Sequence, residues 1–182
     1  MLLVTAKATP SFSAPFSTCR EYRVMQRHLT KKDQAKRLKA VEIYFTRKNP
    51  KVSPKKISQY ANLIDHYSSQ YGLDPFLVAG VMMKESTVKE KAVSKGNYGL
   101  MQINWNANRP WIVKTFPIKT KKELMVPANN IRLGIHILAA NIKKSGDSVD
   151  KGLDRYRGRA LASYRNSVHA HYLAIVGIFK KL

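Results

Sequence analysis

The chain has 182 residues, with 33 Lys or Arg against 11 Asp or Glu and a formal net charge of +22. At 44% hydrophobic residues it can bury one ordinary core plus an appendage, and its charge calls for an anionic partner: nucleic acid, phospholipid or an acidic wall polymer. The single cysteine, Cys19, excludes an internal disulfide and any multi-cysteine metal site, and no apolar run approaches membrane-spanning length.

Residues 1–18 carry Pro, Ser and Thr without periodicity and read as disordered. They lack a basic start before a long hydrophobic core, so they make a poor secretory signal. From Arg20 to Lys56 there are 13 Lys or Arg against Glu21, Asp33 and Glu42. Val24, Leu38, Val41, Tyr44 and Phe45 give that stretch a partial apolar stripe, which predicts a basic amphipathic helix over 31–47. Such a helix is either an anchor on an anionic wall, lipid or nucleic acid, or a solvated face packed on the main domain. Asn49-Pro50 and Ser53-Pro54 mark a boundary near residue 55.

Ser53-Pro54 also opens a helix, with Ile57, Tyr60, Ala61, Ile64 and Tyr67 at core spacing up to Tyr71-Gly72. Asp74-Pro75 opens the next. Counting back from Glu85 in steps of three and four gives Met82, Val81 and Val78, so Glu85 projects from the apolar stripe. Desolvation biases such a carboxyl towards the protonated state that a general acid needs. The alternative is a half-wet Glu paired with Lys84 or Lys89.

A basic connection leads to Ser94, Gly99 and then Leu100-Met101-Gln102-Ile103. The stretch 102–127 reads as loop-rich and aromatic. Asn104 and Trp105 suit a sugar, the ring on an apolar sugar face and the amide on hydroxyls, whereas Trp111 reads as core. Helical spacing returns over 126–145 through Ile131, Ile135, Leu138 and Ile142, and a last helical region runs over 148–181. His169 and His171, two apart on a helix, do not share a face, which argues against a metal site.

Glu85-Ser86, Ser94, the run Gly99-Leu100-Met101-Gln102-Ile103, and Asn130-Ile131 with Gly134 together resemble the lysozyme-like domain of soluble lytic transglycosylases. The likeness covers roughly 56–178 and is nearest to small members that open cell walls for secretion machines, pili or phage. It implies a mainly α, goose-type lysozyme-like fold over 56–182, with a basic, partly helical or disordered extension over 1–55. It implies no cofactor and no metal. It also implies that Glu85 is the catalytic acid, that Tyr156 orients it, and that Ser86, Met101 and Gln102 line the cleft. Gly134 is expected to let its helix approach the Glu85 helix closely. The family run Ala-x-Tyr-Asn-x-Gly is matched by Tyr156, but Arg157 stands where Asn is usual, suited to a peptide or muramyl carboxylate. Glu90 replaces a usual Pro, and the loop before Gly99 is one residue short.

The implied reaction cleaves the bond between N-acetylmuramic acid and N-acetylglucosamine. Glu85 acts as acid, then as base towards the muramyl C6 hydroxyl, closing a 1,6-anhydro ring. Ordinary glycosidases use two carboxylates, and no second one is well placed: Glu90 faces water and Glu123 lies in a basic loop. A goose-type muramidase, with water as acceptor, is the alternative. A non-catalytic cationic envelope- or nucleic-acid-binding protein is the further one. Over 20–56 the only aromatics are Tyr22, Tyr44 and Phe45, which argues against nucleic acid. Expected partners are therefore peptidoglycan strands, an anionic wall or membrane surface through 20–56, and a secretion, pilus or phage assembly. The expected location is the bacterial envelope or periplasm, or delivery to it by phage.

Overall fold

The computed structural model describes residues 15–182. Its elements in chain order are α1 (Arg20–Met25), a 3-10 turn (Gln26–His28), α2 (Gln34–Lys48), α3 (Pro54–Tyr71) and α4 (Pro75–Ser86). Three two-residue strands follow: β1 (Val93–Ser94), β2 (Asn97–Tyr98) and β3 (Ile103–Asn104). Then come α5 (Trp105–Thr115), α6 (Lys121–Leu124), α7 (Pro127–Lys143), α8 (Val149–Arg157) and α9 (Ala162–Lys181). The fold is mainly α, as expected. The strands form one antiparallel sheet in the order β1-β2-β3, with Ser94 opposite Asn97 and Tyr98 opposite Ile103.

The helix boundaries follow from local chemistry. Ser53 caps α3 by accepting from the Lys56 amide, and Gly72 ends it in the left-handed region (φ 67°). Asp74 caps α4 by accepting from the Phe76 amide at 2.8 Å, with Pro75 at the first position. Every residue of α4 from 75 to 83 is buried, so α4 is the central helix and is apolar on all sides. Helix α9 lies across it, α2 covers α3 and α9, and α7 bridges α3 and α8.

The α4–α9 contact is close because of Gly80. A Cβ there would lie 2.9 Å from the Val168 carbonyl oxygen on α9. Asp74 joins the same pair of helices, accepting from Tyr172 Oη at 3.0 Å. Burial pushes its carboxyl up to about 6.

The basic N-terminal stretch is packed, and the hydrophobic core runs through it. Phe16, Met25, Val41, Tyr44 and Phe45 are buried in the same cluster as α4 and α9. Arg37 and Asp65 form a buried ion pair at 2.9 Å between α2 and α3. The Phe16 and Ser17 amides donate to the Asp150 carboxylate on α8. The expected disorder over 1–18 lies outside the described residues up to position 14, but from Pro15 onward the chain is seated against the core.

Two further expectations are corrected. The stretch 102–127 is not all loop: Asn104 caps α5, accepting from the Ala107 amide at 2.9 Å, and the helix continues past Pro110. The last helical region is two helices, broken at Gly158 (φ 85°), which ends α8. Among the described residues, no helix is long and apolar enough to cross a membrane.

Gly80→Ala is expected to cost about 1–3 kcal/mol, because helix backbone rather than a side-chain tip must yield. A thermal melt should show a fall in Tm of several degrees. Asp65→Ala, which strands Arg37 in the interior, should cost more, about 3–5 kcal/mol.

Candidate active site

Glu85 sits in the last turn of α4 and is half-buried. Its Oε1 accepts a 2.5 Å hydrogen bond from Tyr164 Oη, on the first turn of α9. Burial raises the Glu85 carboxyl above its ordinary value, while the Tyr164 bond and the charges of Arg157 and Lys84 oppose that rise. Among the described residues, the groups that shift it are Tyr164, Arg157 and Lys84, none of them a carboxylate.

Most other acids are engaged elsewhere. Asp65 holds Arg37, Asp154 holds Arg165, Asp150 caps the Phe16–Ser17 amides, and Glu21 reaches Lys180. Glu90 does not simply face water. It accepts from Lys56 Nζ at 2.6 Å and from Tyr60 Oη at 2.7 Å. Glu123 closes the capping box of α6 with Thr120. The site therefore holds one isolated acid among cations and phenols.

The tyrosine that touches Glu85 is not the expected one. Tyr156 Oη donates to the Met101 carbonyl at 2.8 Å and so braces the loop. The misleading signal was the Gly two residues on: Gly158 is there to end α8. The usable signal was Ala162-Ser163-Tyr164, which carries Ala-x-Tyr with Arg165 in the next place. Arg165 binds both oxygens of Asp154 at 2.6 and 2.7 Å, locking α8 to α9. Arg157 is exposed, and its charge reaches both Glu85 and Tyr164.

Several expected lining residues instead build the frame. Ser86 is buried, and its hydroxyl donates back to the Met82 carbonyl within α4. Met101 is fully buried, its amide donating to Asn130 Oδ1 at 2.8 Å. Gly134 serves this residue rather than the Glu85 helix, since a Cβ on it would lie 2.5 Å from Met101 Cβ. Asn130, itself buried, also donates to the Tyr98 and Leu124 carbonyls and so clamps the 98–101 turn.

Gln102, half-exposed at φ 47°, donates from Nε2 to the Ala92 and Gly99 carbonyls and ties the hairpin to the turn. Asn104 is committed to capping α5. The two tryptophans exchange their expected places. Trp105 is 5% exposed and belongs to the core. Trp111 is half-exposed and, with Asn108, His136 and Asn141, lines a hollow of about 270 Å³ between α5 and α7. His171 Nδ1 pairs with Tyr44 Oη at 2.6 Å, and the His169 ring meets Phe16 edge-on, so each histidine has a packing role.

The described domain is mainly helical, and its buried central helix carries one acid bonded by a phenol from the crossing helix. The family model for the transglycosylase SLT domain matches residues 62–172, and the chain belongs to that family. Membership supports a peptidoglycan-acting, lytic-transglycosylase-type function in general. No solved structure matches the chain.

Tyr164→Phe should lower kcat about tenfold, the scale of one hydrogen bond to a charged group. It should also move the alkaline limb of the pH–rate profile upward, because the lost bond favoured ionised Glu85. Tyr156→Phe should leave that limb in place. Above the usual carboxylate range the folded protein keeps a proton on Glu85 that the unfolded chain has released. Stability due to this group therefore falls as pH rises through that window. Glu85→Gln should accordingly gain Tm relative to wild type as pH increases from about 4.

Proposed function

We propose that the protein is a peptidoglycan lytic transglycosylase that cleaves between N-acetylmuramic acid and N-acetylglucosamine and leaves a 1,6-anhydromuramyl end. The observation that carries this reading is a single half-buried carboxyl on the central helix, raised by burial and bonded by Tyr164, with no carboxylate among the groups that shift it. Ordinary inverting and retaining glycosidases need a second carboxylate, to activate water or to attack the sugar. A route in which one residue works twice does not.

Glu85 first gives its proton to the glycosidic oxygen. The oxocarbenium-like sugar is then steadied by its own N-acetyl group. Once ionised, Glu85 is stabilised by the Tyr164 hydrogen bond and by Arg157 and Lys84, the three influences that favour its charged form. In that state it takes the C6 hydroxyl proton, and the ring closes without water. Tyr164 is the positioning residue, keeping the carboxyl at one rotamer through both steps. Arg157, exposed beside Glu85, is suited to the muramyl lactyl or peptide carboxylate. The hollow of Trp111, Asn108, His136 and Asn141 offers a ring face and amides to sugars further along the strand.

The surplus of Lys and Arg over 20–56 suits an anionic wall or membrane surface, and the site of action is the cell envelope. Service to a secretion, pilus or phage assembly belongs to the same proposal.

Purified peptidoglycan digested by the wild type should give anhydromuramyl ends by mass. Glu85→Gln should lower their rate of formation at least about 100-fold, the scale of a lost general acid. Reducing muramyl ends would replace the proposal with a muramidase. Absence of both products across pH and salt would remove catalysis.

A further inference from the structure

Three residues past Glu85 the chain enters a groove of about 370 Å³ that the reaction above does not use. Its floor is Val88 and Tyr60, each 1% exposed. Its rim carries Lys51, Lys56, Lys89 and Lys91, with Glu90 as its one carboxylate. Glu90 is taken up by Lys56 and Tyr60, a pairing that holds its carboxyl below the usual range. Among the described residues, Lys51, Lys89 and Lys91 have no carboxylate within ion-pair distance. All three are exposed.

The walls of the groove are fastened to each other. Asn49 Nδ2 at the end of α2 donates to the Thr87 carbonyl at 2.8 Å, and Lys56 on α3 holds Glu90. Between these ties, Thr87 and Val88 sit at φ 52° and 60°, an unfavourable region for β-branched side chains. Lys51 and Lys56 lie outside the span shared with the family, so the N-terminal stretch of this chain supplies one wall.

We propose that the groove receives the carboxylates of stem peptides carried by the glycan strand bound at Glu85. The inference rests on the peptidoglycan reading and adds a substrate preference to it: strands bearing peptides with free acid groups. Three exposed lysines without an ion-pair contact, against one Glu already bound by Lys56, give the charge complementarity. The reach also fits. Glu85 and Lys89 are four residues apart, at most about 14 Å of chain, and an extended peptide of four residues spans the same distance. That peptide hangs from the muramyl sugar, the residue whose bond Glu85 protonates.

The test is sedimentation binding with Glu85→Gln as the uncleaving background, on peptide-bearing strands, amidase-stripped strands and strands with amidated peptide carboxylates. Glu85→Gln should bind the first about tenfold tighter than the other two, three exposed ion pairs being worth about that much. Adding Lys51→Glu, Lys89→Glu and Lys91→Glu should abolish the preference, and the triple Lys→Arg should restore it. Circular dichroism checks that each variant is folded.

No preference in the background protein, or a preference that survives the triple Glu variant, overturns the proposal. So does a preference that follows a phosphate-bearing wall polymer and ignores peptide amidation. Because binding is read without turnover, a preference that holds while the wild type yields neither anhydro nor reducing ends sustains the groove and refutes only the transglycosylase reading.

Discussion

The packing of α9 against α4 at Gly80 is the constraint on which the rest depends. A residue without a side chain lets the Val168 carbonyl come down onto the central helix. That approach puts two phenols of α9 to work on α4: Tyr172 at the Asp74 cap and Tyr164 at Glu85 near the other end. One helix thus has its start and its reactive end secured by the same neighbour. Arg165, one residue past Tyr164, extends the arrangement to α8 through Asp154. The acid is therefore held by helices rather than by a loop.

The electrostatics follow from how charge is distributed. Acids are few, and most are used as caps or ion-pair partners, so the field around Glu85 is set by burial, phenols and cations. Burial and positive charge act on it in opposite directions. Burial favours the protonated carboxyl, and Arg157 and Lys84 favour the ionised one. The same surplus of cations around the Thr87–Val88 turn makes the surface beside the acid an anion-receptive one.

Much of the scaffold was legible in the sequence because it rests on local rules. Ser53-Pro54, Asp74-Pro75 and Gly72 announce the ends of α3 and α4, and the apolar steps back from Glu85 locate it on the buried helix. What was not legible depends on partners distant in sequence. Nothing near Tyr164 says that its hydroxyl lands 79 positions back on Glu85. Met101 and Gln102 look like cleft residues until Asn130 and the Ala92 carbonyl are seen to claim them. Helix α5 was obscured by Pro110 and a run of Asn, although the Asn104 cap was there to be read. Trp105 and Trp111 lie on one helix, and which of them is buried depends on which face of α5 meets the core.

The continuity of the core across the boundaries of the family match bears on how this protein can be cut and reused. A fragment excised at 62–172 would amputate Ile175, Val176 and Phe179 from α9, along with the Phe76–Phe179 ring contact. It would also discard Tyr44 and Phe45, the lid over α3 and α9, and leave Asp65 buried without Arg37. The unit of homology is thus smaller than the unit of folding. Grafting this activity onto another scaffold means transplanting the chain from Phe16 onward, with its cationic helix as structural cladding rather than a detachable tail.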